Sequence, residues 1–181
     1  MQALLWERGY AAASPRVVLE RAQVGQGSMY HHFAGKEALA VTAFERSADA
    51  LVDRAARVLR DGGDAVAGLR AYLDLPRDAL RGCPVGRMAA DAQVLESAVL
   101  HEVLARTFGR VRALIVEVIA DGVRRSELNS GIDPADLADS ILAVVQGGYV
   151  LARASGDQAP FDRAIRGART LLELAREETN P

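Results

Sequence analysis

The 181-residue sequence has little of several things, and each shortage excludes a class of protein. A single cysteine, Cys83, closes no internal bridge, so a disulfide framework is excluded and a reducing compartment is expected. The opening MQALLWERGY lacks the apolar stretch of a secretory leader, which points the same way, to the cytoplasm. No run approaches the roughly 18 apolar residues of a membrane span; Ile141 to Val150 is broken by Gln146, Gly147 and Gly148. Short alternating runs of Val, Ile and Thr, the signature of strands, are missing as well. Charge of one sign is not in excess: the net value is −2 and the pI is near 5.9, unlike a domain that holds nucleic acid by bulk attraction. Lysine is almost absent, Lys36 standing alone among arginines.

What is present is helical periodicity, nearly end to end. Half of the residues are apolar, enough for a sizeable core in one or two domains. Breakers at Gly9 to Ser14, Gln23 to Gly27, Ala34 and Gly35, Gly62 and Gly63, Arg81 to Gly86, Ser130 to Pro134 and Gly156 to Pro160 divide an all-α chain into about nine helices. Ser14-Pro15 and Asp133-Pro134 each place a capping side chain before a proline that needs no partner for its nitrogen. A long helix is expected over about 36–60, joining a front domain (residues 1–45) to a rear domain (46–181). Residues 1–60 carry eight basic and six acidic side chains, so the small positive excess lies in the front half.

The rear domain ends in two helices of different character. In the one opening at Asp133-Pro134, Leu137, Ala138, Ile141, Leu142, Val144, Val145, Tyr149, Val150 and Leu151 surround much of the cylinder, more than one neighbour covers. The last, about 161–177, has a single stripe of Phe161, Ala164, Ile165, Ala168, Leu171, Leu172 and Ala175. A monomeric bundle with a central penultimate helix fits this pattern. A homodimer through the last two helices fits it better.

The front domain carries the functional signal. Residues 14–33 read SPRVVLERAQVGQGSMYHHF: a capped helix, a turn at Gln23 to Gly25, and a second short helix. This is helix-turn-helix spacing, in which the second helix enters a major groove and the first fixes its angle through phosphate contacts. Gln26, Ser28, Tyr30, His31 and His32 crowd polar and aromatic groups onto it, above an underside of Val17, Val18, Ala22, Val24, Met29 and Phe33.

Gly9-Tyr10, Ser14 and AQVGQGSMYHHFAGKEAL at residues 22–39 resemble the DNA-binding domain of the TetR family of bacterial repressors. Gly82-Cys83-Pro84-Val85-Gly86, Gln146-Gly147-Gly148 and Leu151-Ala152-Arg153 resemble its LmrA/YxaF-like branch. The resemblance implies a homodimeric, ligand-responsive repressor on a near-palindromic operator of double-stranded DNA, with half-sites about 34–36 Å apart or a related spacing. It implies base reading by Arg16 and Gln26, contacts from Gly27, Ser28 and Tyr30, and phosphate contacts from His31, His32 and Lys36. It also implies an opening helix longer than Met1 to Trp6 supplies, so that Leu4, Leu5, Trp6 and Tyr10 carry its packing. Gln23 stands where the family often has a turn glycine; a left-handed backbone there costs about 1 kcal/mol. Gly25 and Gly27 loosen the short helix, which is expected to order fully on DNA.

A small apolar or aromatic effector is expected in the rear bundle. Met88, Gln93, Leu104, Phe108, Val111, Ile115, Gln146 and Tyr149 are candidate lining residues, each equally readable as plain core. No catalytic site, metal or cofactor is expected. Adjacent His31 and His32 point about 100° apart with no acidic or cysteine partner at helical spacing. Cys83 with His101 lacks a third orienting group, and Ser97 and Ser140 lack a glycine elbow. The competing reading is a helical small-molecule-binding protein whose front domain no longer binds DNA.

Overall fold

Capping chemistry sets where the helices begin. The computed structural model describes residues 1–23 and 26–176, apart from the side chains of Gln26, Ser28 and Met29. Among the described residues are nine α-helices: α1 (Gln2–Arg8), α2 (Pro15–Ala22), α3 (Gln26–His32), α4 (Lys36–Asp61), α5 (Ala65–Leu73), α6 (Ala92–Glu96), α7 (Ala98–Arg124), α8 (Pro134–Ser155) and α9 (Ala159–Leu174). A 3-10 turn, Gly86–Ala90, precedes α6. No strand occurs among them; one isolated bridge joins Leu128 and Arg176. The all-α expectation therefore holds.

Ser14 caps α2 by accepting from the Val17 amide at 3.4 Å, and Asp133 caps α8 by accepting from Ala135 at 2.7 Å and Asp136 at 3.1 Å. Both follow the serine-proline and aspartate-proline pairs. The last helix begins two residues before the expected 161, with Pro160 in its first turn, where a missing N–H costs nothing.

The chain forms two compact units. One comprises Met1–Leu51 with Cys83–Phe108, the other Val52–Gly82 with Gly109–Pro181. In the first, α1 is short but well anchored: Leu4, Leu5 and Tyr10 are buried together with Val18, Ala40, Phe44, Met88, Val94 and Leu100. Trp6 is half-buried. Arg21 reaches back from α2 to both oxygens of Glu7 on α1, at 2.5 and 3.1 Å, so it pins the two helices rather than merely facing solvent. Ala22, expected on the underside of the helix-turn-helix, is exposed instead, because α2 ends there and the chain turns away at Gln23.

In the second unit α8 and α9 are the most extensively packed pair, and α5 also packs on α9. Tyr149 and Phe161 meet with ring centroids 4.9 Å apart, and Gly148 lies under Phe161, where a Cβ would sit 2.9 Å from the ring. Arg112 on α7 holds Asp139 on α8 through two bonds of 2.6 and 3.0 Å, which keeps that carboxyl below the usual carboxylate range. Averaged over 18 residues, α8 is long and apolar enough to cross a membrane, a property obscured in sequence by Gln146, Gly147 and Gly148. Its Ala138, Ile141, Val145, Tyr149 and Ala152 are buried in the bundle. Leu171, expected within the buried stripe of α9, is 65% exposed; Phe161, Ile165 and Leu172 are the residues that face inward.

Close backbone approach fixes the junction of α4 and α5. A Cβ at Gly68 would lie 2.7 Å from the carbonyl oxygen of Leu59, a group that cannot rotate aside. Gly68→Ala is therefore expected to lower stability by about 1–3 kcal/mol despite the better helix former, read as a fall in Tm of roughly 2–4 °C per kcal/mol. Gly109, in α7 with open space around it, is the control. Gly109→Ala is expected to gain about 1 kcal/mol.

Candidate nucleic-acid interface

The geometry of the head starts with Gln23. It has φ 54° and ψ 38°, the left-handed conformation, and its amide donates to the Glu20 carbonyl at 3.3 Å, closing α2. An L-residue is strained there by about 1 kcal/mol, so Gln23→Gly is expected to raise Tm slightly without altering the helices seen by circular dichroism. A loss of stability would show that the Gln23 side chain supplies more than its backbone costs.

Beyond the turn, α3 presents polar and aromatic groups outward. Tyr30 is 51% exposed, and Gly27, His31 and His32 are exposed as well. The two imidazoles stand edge to face, 4.8 Å between centroids. Phe33, just past the helix, is half-buried. Gln26 and Ser28 belong to α3 by backbone, while their side chains, like those of Met29 and the residues Val24 and Gly25, lie outside the described part.

Arg16 projects from the first turn of α2, strongly exposed, with its Nε donating to Glu20 at 2.9 Å. An exposed pair one helical turn apart is worth about 0.3–0.5 kcal/mol, so the guanidinium is readily given up to a better acceptor. Lys36 behaves differently. It opens α4, but its ammonium is turned over the Tyr10 ring, 4.0 Å from the centroid, and lies 3.5 Å from the Ala11 carbonyl. Partial burial lowers its pKa from the ordinary lysine value, with the Asp91 carboxylate opposing that shift. Of the eight residues expected at the DNA surface, the structure thus brings Arg16, Gly27, Tyr30, His31 and His32 to the exterior, and holds Lys36 half-buried.

The eight candidate lining residues divide between the units. In the first, Met88 and Leu104 are buried, Phe108 is half-buried and Gln93 is exposed; in the second, Val111, Ile115 and Tyr149 are buried and Gln146 is half-buried. None of them lines the cleft of about 230 Å3 that opens in the second unit. That cleft has Leu59, Ala65, Leu114 and Val118 for its apolar walls, with Arg60, Glu117, Asp121 and Arg125 among its charged lining. Its residues come from the end of α4, the turn into α5, the middle and end of α7 and the turn after it, segments that only the fold brings together. Among the described residues no group of three or more His, Cys, Asp or Glu is placed to hold a metal ion.

With a capped helix, a left-handed turn and an outward-facing polar helix established, comparison with known proteins becomes informative. Residues 2–43 match the model for bacterial regulatory proteins of the tetR family, and residues 64–168 match the tetracyclin repressor-like C-terminal domain. The chain belongs to the TetR family. It is 26% identical over 162 residues to the HTH-type transcriptional repressor DhaR of Mycobacterium sp. (strain GP1), covering 88% of this chain and 81% of that one. The structure of Escherichia coli NemR in its reduced form superposes with a TM-score of 0.81 at 25% identity, over 93% of this chain and 91% of that one. A TetR regulator from Chloroflexus aurantiacus gives 0.84 at 26% identity, over 95% and 89%.

Proposed function

We propose that the protein is a transcriptional repressor that binds a near-palindromic operator as a homodimer and is released by a small apolar or aromatic effector. The observation that carries this reading is the exterior of α3: a seven-residue helix devoted to Gly27, Tyr30, His31 and His32 on its exposed side has no evident use in a core. Arg16 and Gln26 are assigned to base edges, where arginine pairs with guanine and glutamine with adenine through two hydrogen bonds each. Ser28 and Tyr30 are assigned to bases, thymine methyls or phosphates. His31, His32 and Lys36 are assigned to phosphates, which set register rather than sequence choice.

The dimer is assigned to α8 and α9. Val150, Leu151, Leu171 and Leu174 are 55–78% exposed, a concentration of large apolar side chains unusual for a free surface. Leu151 lies one turn after Gly147, and Leu171 one turn after Gly167; a Cβ at either glycine would meet nothing within 4 Å. An open glycine one turn before an exposed leucine on each helix allows a second copy to approach closely, and a two-fold interface repeats the same patch on both sides. The finer placement in the LmrA/YxaF-like branch rests on residues 82–86 and 146–153 alone. The effector is assigned to the rear residues from Met88 to Tyr149 named above; the protein itself performs no chemistry on it.

A mobility-shift titration tests the reading, first on the promoter region beside the protein's own gene, then on duplexes selected from random sequence. A retarded dimeric complex at physiological salt is expected. Failure to retain any sequence above non-specific affinity would leave the small-molecule-binding alternative.

A further inference from the structure

Outside the helix-turn-helix, one carboxylate touches the head from a distant part of the chain. Asp91 sits between the 3-10 turn Gly86–Ala90 and α6. Its Oδ1 accepts from the Gln93 amide at 3.1 Å, capping α6, while its Oδ2 accepts from the Ala11 amide at 2.8 Å, 80 positions away in sequence. Ala11 lies in the turn between α1 and α2, the turn that also supplies Tyr10 and the Ala11 carbonyl to Lys36. Gly9, at φ 77°, completes the fit: a Cβ there would stand 2.9 Å from Asp91 Oδ2. A second tie runs parallel, Ser97 donating to Glu37 on α4 at 2.8 Å. The Asp91 amide donates to the Met88 carbonyl at 3.2 Å, so the carboxylate moves with the 3-10 turn.

We infer that Asp91 is a positioning residue of the DNA-contacting head: it clamps the Gly9–Ala11 turn, and through that turn the Lys36 ammonium, to the segment that carries Met88 and Gln93. The inference rests on the repressor reading and adds a route of regulation to it. Met88 precedes Asp91 by three residues and Gln93 follows it by two, so a ligand that displaces either shifts the one carboxylate holding the head turn. Both oxygens are committed; the Gln93 bond travels with the segment, while the 2.8 Å bond to Ala11 does not survive a shift of an ångström or so, which takes it beyond the usual range of about 2.7–3.2 Å.

Serine separates the two roles of Asp91. It caps a helix about as well as aspartate but is too short to reach Ala11 as well. Asp91→Ser is compared with Asp133→Ser, which changes the cap of α8 in the other unit. Amide hydrogen exchange at Ala11 is followed by NMR, thermal melting by circular dichroism, and affinity by anisotropy on the selected duplex. In Asp91→Ser, exchange at Ala11 is expected to rise and affinity to fall about tenfold, within the usual range of coupling between two sites. In Asp133→Ser both stay at wild-type level, and both variants remain folded at the temperature of the binding assay. Equal affinity in the two variants, or unchanged Ala11 exchange in Asp91→Ser, overturns the inference. A wild-type protein that retains no duplex overturns the repressor reading itself, a result separate from either of these.

Discussion

Tyr30→Ala is expected to abolish operator retardation while leaving the dimer and its melting temperature intact. The ring is half in solvent, outside the core, and surface substitutions of that kind change stability by about 0.5 kcal/mol or less. On DNA the accounting differs. A direct contact to a base or phosphate contributes roughly 1–3 kcal/mol, and a two-fold dimer loses it twice. The combined loss of about 2–6 kcal/mol corresponds to a fall of some thirtyfold at the low end and more than 10,000-fold at the high end. Lys36→Ala is expected to weaken binding across all sequences and to flatten the salt dependence by about one ion per half-site, as a phosphate contact does. Lys36 also covers the Tyr10 ring, so its loss is read against the melting curve of the variant. Wild-type affinity in Tyr30→Ala at physiological salt would remove α3 from the interface.

The second large effect is expected on α9. Leu171→Glu places a carboxylate where a leucine is 65% exposed in the single chain. In a monomer the change is close to neutral, since the side chain meets water. In a two-fold interface it buries two like charges near one another, at a cost of several kcal/mol, enough to dissociate a dimer at micromolar concentration. A single head then binds one half-site only, and operator affinity falls by orders of magnitude. Sedimentation equilibrium on Leu171→Glu is expected to give the mass of one chain, with circular dichroism unchanged. A dimer of undiminished stability would move the interface away from α8 and α9.

Much of this was legible in the sequence because helix ends are written in local chemistry. Ser14 before Pro15, and Asp133 before Pro134, announced α2 and α8 within a residue. Gln23 stood out as a non-glycine at a turn, and it adopts the left-handed backbone that position demands. Tyr30, His31 and His32 point outward for the simple reason that such polar groups are costly to bury. What stayed hidden depends on distance in space. Nothing local to Asp91 announces that one of its oxygens holds Ala11, 80 positions away. Leu171 and Leu172 both fit a stripe of three-and-four spacing, and only the packing of α9 decides that Leu172 turns in and Leu171 out. In sequence Lys36 is a phosphate-contacting candidate at the start of a long helix. The aromatic ring of Tyr10 and the carboxylate of Asp91, brought together by separate segments of the first unit, hold it half-buried.

The three histidines offer the most direct test of where DNA lies. His31 and His32 are on α3 and His101 is on α7, all exposed. Carbethoxylation of each imidazole is followed by mass spectrometry, with and without the selected duplex. Protection of His31 and His32, with His101 reacting at its unliganded rate, is the predicted result. Equal modification of all three in a duplex-saturated sample would contradict the placement of α3 against DNA.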